Sequence, residues 1–195
     1  MNTETENHDG SGAKLQGAFG DRGTNLNAGM AYGHPYGEVI IEKAKEVLRE
    51  TETGRILVKV QEVHQVPIHV LKGNGESGYN LQAGVIYVPI SGKKDKLDAR
   101  TIILFTKALR ALEQEYIGLE TPKPTQDVME YAATLHTKNL DSILYGCKIV
   151  KELTNSSFFS DLLEALEDFG YSKLYRAYEK NASTQELLEI YSGRQ

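Results

Sequence analysis

Between Ala99 and Ile117 the chain sets Ile102, Phe105, Leu109, Leu112 and Tyr116 at spacings of 3, 4, 3 and 4. Those spacings line one side of an α-helix with large apolar groups, and such a helix needs a packed layer against it. Asp98 stands where an N-cap is needed, and Gly118 where a left-handed residue closes the last turn. Any fold for this chain must therefore bury the 99–117 helix.

The flanking segments supply the layers. Glu38 to Thr51 reads as a second amphipathic helix, with Ile40, Ala44, Val47, Leu48 and Thr51 on one face and Thr53-Gly54 as its end. Arg55 to Val63 alternates Ile56/Val58/Val60 with Leu57/Lys59/Gln61, the pattern of a half-buried strand. Val66 to Leu71 predicts a further strand, which Pro67 pushes toward an edge or a strand start. Gly84 to Pro89 predicts a third, and the Gly/Asn/Ser stretch between these two predicts a hairpin connection. After the 99–117 helix come Pro122 and Pro124, then a long helix capped by Thr125 and reaching Leu153. Its inward positions are Val128, Ala132, Leu135, Ile143, Cys147 and Val150. Helices over 158–169, stopped by Gly170, over 174–178, and from the capping box Ser183-x-x-Glu186 complete the chain. The expected class is α+β: a small, mostly antiparallel sheet packed by helices, with a helical C-terminal half.

The beginning of the chain has a different composition. Eight of the 18 glycines fall within residues 1–37, beside only three large aliphatic or phenyl side chains, Leu15, Phe19 and Leu26. Such a segment buries too little apolar surface to offset the entropy of ordering it. Residues 1–37 are expected to form a flexible Gly-rich tail and residues 38–195 a single α+β domain. The piece Ala31 to Gly37, with two tyrosines, is either a turn-rich lead-in or a segment that docks on the domain or a partner. No internal repeat follows.

Composition narrows the function classes. With 22 basic and 27 acidic side chains the formal net charge is −5, which argues against bulk nucleic-acid binding. No apolar run approaches the roughly 18 residues that span a bilayer. One cysteine, Cys147, excludes an intramolecular disulfide. With a polar, acidic start at Met1–Asp9, it leads to the expectation of a reducing, cytoplasmic compartment.

Several constellations carry chemistry only in a context this sequence lacks. Gly73-Asn-Gly-Glu-Ser-Gly78 matches a dinucleotide-binding pattern, but Tyr79 to Tyr87 leads into a strand, where pyrophosphate binding needs a helix N-terminus. His8, His34, His64, His69 and His136 show no metal-ligand spacing. Cys147 sits in an apolar helical face and reads as a buried hydrophobe. Lys93, Lys94, Lys96, Arg100, Lys107 and Arg110 form the densest basic group, and Lys107 and Arg110, at i and i+3, share a helical face. They present either a solvated face, neutralised by Glu113, Glu115 and Glu120, or an anion-binding one.

The segments Ala83-Gly-Val-Ile-Tyr-Val-Pro-Ile90 and Thr101 to Gly118 together have an order that resembles the small zincin-like metallopeptidase domains of bacteria. In that family a strand of the form x-I-x-V precedes a helix bearing H-E-x-x-H, and a later helix adds an acidic ligand. The resemblance covers roughly residues 55–153 and implies a zincin-like scaffold. The aligned motif, however, reads Lys107-Ala-Leu-Arg-Ala111. Lysine and alanine replace both imidazoles and Ala108 replaces the general base, so zinc and peptidase activity do not carry over. Asp141, near the third ligand position, becomes an orphan carboxylate for Lys107 to pair with.

The leading expectation is a non-catalytic domain, without metal or cofactor, that binds a protein or peptide: a zincin-like pseudoenzyme. Its surface combines Val85 and Tyr87 of an edge strand with Lys107 and Arg110. One alternative is an enzyme or anionic-ligand-binding protein in which Lys107, Arg110, Asp141 or His136 converge in a cleft. Another is a self-assembling protein whose N-terminal tail docks on a neighbouring copy.

Overall fold

The computed structural model describes residues 33–91, 95–119 and 127–193. The tail through residue 32, with its docking role, lies outside the described residues, as do Lys93, Lys94, Glu120, Pro122, Pro124 and Thr125. In chain order the elements are α1 (Gly37–Arg49), α2 (Glu52–Val63), β1 (Ile68–Lys72), β2 (Gly78–Asn80), β3 (Val85–Ile90), α3 (Ala99–Tyr116), α4 (Val128–Glu152), α5 (Phe159–Asp168), α6 (Ser172–Glu179) and α7 (Thr184–Ser192). The class is α+β. Among the described residues, no helix is long and apolar enough to cross a membrane.

The α3 helix is the centre of the packing. Asp98 caps it, its carboxylate accepting the Thr101 N–H at 2.7 Å, and Gly118, at φ +71°, follows its last turn. Ile102, Phe105, Leu109 and Leu112 are fully buried, as their spacing requires. Tyr116 departs from that stripe: it is exposed, and its ring stacks on His64 at 3.6 Å between centroids. The sheet packs on one part of α3, and α2, α4 and α5 on others.

Two expectations are corrected. The 55–63 segment is the body of α2, not a strand. Thr51 starts that helix by accepting the Gly54 N–H at 2.9 Å. The buried set is Leu57, Val58 and Gln61, a helical spacing, while Ile56 and Val63 are 51% and 64% exposed. Gly54 therefore does not end a helix. It lies in the first turn of α2 with its Cα close against the Leu48 carbonyl, where a side chain would collide with backbone.

The second correction concerns the sheet, which is mixed. Its strand order is β1-β3-β2. β1 runs parallel to β3, from Ile68 opposite Ile86 to Lys72 opposite Ile90, so no hairpin joins them. The intervening segment contains its own strand, β2, which pairs antiparallel with β3 from Gly78 opposite Tyr87 to Asn80 opposite Val85. β3 is thus the central strand and not an edge. Burial of Val85, Ile86, Val88 and Ile90 matches a strand covered on both faces. Pro89 is tolerated there for a local reason. Ile86 donates its N–H toward β1, to Pro67 O at 2.9 Å, so alternation aims position 89 at the opposite edge, past the end of β2.

Along α4, Ile143, Cys147 and Val150 are buried as expected, but Val128, Ala132 and Leu135 are exposed. The N-cap is Asp127. Gln114, near the end of α3, bonds Lys138 and Ser142 of α4, so the turns of α4 before about residue 135 extend past the end of α3. The expected helices after Gly170 and at the Ser183/Glu186 capping box are present. Ahead of α1, His34 is buried and donates its backbone N–H to Val70 O, so residues 33–36 lie against β1.

Replacing Gly54 by alanine forces a Cβ into the α1–α2 junction. The expected loss is about 1–3 kcal/mol, against about 1 kcal/mol for removal of the cap by Thr51→Ala. Urea unfolding of both variants tests the order; an unchanged midpoint for Gly54→Ala contradicts the close approach.

Candidate functional site

A cavity of about 550 Å³ opens between β2, α3 and α4. Glu76, Ser77, Gly78 and Tyr79 form one wall, with Tyr87 of β3 beside them. Lys107, Ala111, Gln114 and Glu115 supply the α3 wall; spacings of 4, 3 and 1 put them along one side of the helix. Tyr131, Leu135, Lys138 and Ser142 of α4 stand opposite, and Tyr171 and Tyr191 close the remaining side. Five tyrosines therefore line the cavity. The Tyr87 hydroxyl comes close to the β2 wall: a Cβ on Gly78 would lie 2.7 Å from it.

Lys107 is one of two lysines that line the cavity. Its side chain is only 11% exposed, and Nζ donates to Glu76 Oε2 at 2.8 Å and reaches the Tyr171 hydroxyl at 3.5 Å. Burial by itself lowers the ammonium's pKa. Tyr171 and Glu76 outweigh that effect and hold it above its ordinary value, so Lys107 is protonated and a poor nucleophile. The second lysine, Lys138, donates to Glu115 at 2.6 Å, with both side chains largely buried.

Arg110 and Asp141 lie elsewhere. Arg110 is buried between α3 and α4, with Nε 2.6 Å from Asp141 Oδ2 and Nη1 2.6 Å from Glu113 Oε2. Its guanidinium lies over the Tyr145 ring at 3.9 Å. Gln114 Nε2 donates to the same Asp141 oxygen at 2.7 Å. The expected Lys107–Asp141 pair is therefore replaced by two separate ones, Lys107–Glu76 and Arg110–Asp141. Lys107, Arg110 and Asp141 do not converge in one cleft, and Arg110 presents no basic face. Of the acidic residues expected to neutralise the basic group, Glu113 pairs directly with Arg110, whereas Glu115 pairs with Lys138 of α4. Lys96 and Arg100 line a separate recess opposite Asp161, Glu164 and Asp168 of α5.

Of the strand residues singled out in the sequence, Val85 is buried within the central strand, and Tyr87 of the same strand reaches the cavity. The edge strand at the site is β2. Tyr79, Tyr131, Tyr171, Tyr191 and Lys138 were not singled out in the sequence; they come from separate elements with no shared spacing. The histidines are dispersed: His64 stacks on Tyr116, His69 lies on β1, and His136 packs against Tyr191 and approaches Ser192 Oγ at 3.2 Å. Among the described residues, no group of three or more His, Cys, Asp or Glu side chains is placed to hold a metal ion. The Gly73–Gly78 pattern leads into β2, and Cys147 is fully buried.

Compared with protein-family models, curated proteins and solved structures, the chain matches none.

Two measurements check this electrostatic description. Arg110→Ala strands Asp141 and Glu113 near the core and is expected to cost about 3–5 kcal/mol, measured by denaturant unfolding; a loss typical of surface substitutions contradicts the buried network. The second concerns phenols. Burial raises the pKa of Tyr87, aided by Glu76 and opposed by Lys107, and burial also raises those of Tyr145 and Tyr175. Because the folded values lie above the unfolded 10.0, the stability they contribute is intact below that pH and lost as pH rises through them. An absorbance titration is expected to show these phenols ionising later than in the unfolded chain, with falling stability above pH 10.0. Coincident titration of native and unfolded chains contradicts it.

Proposed function

We propose that this chain is a non-catalytic binding domain that takes a segment of protein or peptide into the cavity beside β2, in a reducing compartment. The observation that carries this reading is the cavity's wall: an edge strand on one side, exposed apolar groups at Leu81, Tyr131 and Leu135 around it, and a protonated lysine within. Edge strands recruit extended chains by backbone pairing, and neighbouring pockets select alternate side chains. Exposed apolar groups gathered at one mouth suit an occupant large enough to cover them.

The zincin-like pseudoenzyme reading belongs to this proposal. Lys107 and Ala111, aligned with the two zinc imidazoles, both face the cavity, and Ala108, aligned with the general base, is buried. An ammonium repels a divalent cation and a methyl group donates no lone pair, so a scaffold of that kind retains a cleft for an extended chain without its hydrolysis. Because β3 is paired on both sides, the strand proposed to recruit the segment is β2, which lies at the sheet's edge.

Selection of a random peptide library against the full chain tests the proposal. The expected result is a family of sequences that bind the wild type and bind Leu135→Arg at least about tenfold more weakly, since a buried apolar contact is exchanged for a desolvated charge. Leu135 is exposed, so the substitution spares the core. Failure to enrich any family, or binding indifferent to Leu135→Arg, overturns the site. Elemental analysis of the purified chain is expected to find no stoichiometric zinc; stoichiometric zinc whose removal abolishes an activity overturns the pseudoenzyme reading.

A further inference from the structure

We infer that Glu76 holds the place of a carboxylate belonging to the bound segment, and that Lys107 is the group that recognises it. The inference rests on the cavity being the binding site and names the chemistry that fills it.

The cavity contains two lysine–glutamate pairs, and they differ in one respect that matters. In Lys138–Glu115 both side chains are largely buried, at 14% and 19% exposure, and both come from the helices that form the cavity's walls. That pair is complete. In Lys107–Glu76 the ammonium is 11% exposed while the carboxylate is 73% exposed. A nearly buried cation on a rigid helix is thus answered by a side chain standing in solvent. Water screens that partner, so although Glu76 and Tyr171 together keep the ammonium protonated, the Lys107–Glu76 bond is weaker than one whose carboxylate is also shielded from solvent. A carboxylate carried in on a segment that covers Leu81, Tyr131 and Leu135 meets the same ammonium with water excluded, where a charge-assisted hydrogen bond is strongest.

Local geometry lets Glu76 give way. It lies in the connection between β1 and β2, and the next residue, Ser77, anchors that connection by donating its hydroxyl to Leu104 O at 2.6 Å. The Glu76 side chain therefore turns outward by rotation about its own bonds, without moving the strand that follows. The ring of Tyr171 lies 5.7 Å from Lys107 Nζ, and that of Tyr87 lies beside Gly78 on the same wall. The two rings give the incoming carboxylate aromatic flanks, so the favoured segment has an acidic group next to an apolar or aromatic one. The carboxylate is either an Asp or Glu side chain or the chain terminus.

The enriched peptides provide the probe. Each is synthesised with a free C-terminus and as the C-terminal amide, and each Asp or Glu is changed in turn to Asn or Gln. One carboxylate per peptide is expected to be required, its neutralisation weakening binding about ten- to a hundredfold. Whether amidation or a side-chain change produces that loss distinguishes the two sources. Glu76→Gln, at an exposed position, is expected to tighten binding of the acidic peptide and leave its neutral form unchanged; a purely structural Lys107–Glu76 pair gives no such split. Lys107→Met is expected to bind both forms alike. If peptides enrich and depend on Leu135 but bind equally well when neutral, the carboxylate inference is overturned while the binding site stands. If Glu76→Gln fails to tighten the acidic form, Glu76 is no stand-in. If no peptides enrich, the binding-site reading is overturned and this inference with it.

Discussion

A helix buried on nearly every side, yet carrying three cations and an amide, is the constraint on which this structure depends. Twelve of the 18 residues of α3 are buried, Arg110 and Gln114 among them. An apolar helix is buried by packing alone, but these polar groups must each find a partner before the helix can leave water. Asp141 answers both Arg110 and Gln114, and Glu113 takes the other side of the guanidinium. The polar contacts between α3 and α4 therefore do what apolar packing alone does poorly: they select one register between the two helices.

That register has a consequence at the far end of α4. Since Gln114 lies against Lys138 and Ser142, α3 runs out while α4 continues toward its N-terminus. Tyr131 and Leu135 then have β2 and open space beside them in place of a helix. The cavity is the space left by that mismatch in length. Its chemistry suits recognition. Its lysine Lys107 is protonated, and burial pushes its Tyr79 and Tyr87 phenols toward the neutral form. These are the properties of a surface that holds a charge and packs on rings, which is the role proposed for it.

Much of the architecture is legible because it depends on local rules. Asp98, Ser183 with Glu186, Gly118 and Gly170 act within one turn of themselves, and their helices begin and end where those residues predict. The 55–63 segment is ambiguous in sequence because Ile56, Val58 and Val60 satisfy a period of two while Leu57, Val58 and Gln61 satisfy a helix. Only the cap at Thr51 and the shape of the neighbouring surface decide between them. The sheet's topology is hidden for a different reason: a three-residue strand is too short to show a period, and without β2 the natural connection from β1 to β3 is a hairpin. The site was legible at Lys107 and Tyr87 alone. Its other tyrosines are single residues on separate elements, and nothing in their spacing along the chain links them.

The sequence by itself determined the α+β class, the buried stripe of α3, the C-terminal helices and the mismatch of Lys107-Ala-Leu-Arg-Ala111 with a zinc motif. Each follows from residue type and spacing within a few turns of helix. The tertiary structure alone decided which carboxylate answers which cation, that β3 is enclosed and β2 exposed, and that five distant tyrosines face one space. Those outcomes depend on groups tens of residues apart meeting at hydrogen-bond distance. Spacing along the chain carries no record of such meetings, because a carboxylate pairs with whatever cation the packing brings within reach.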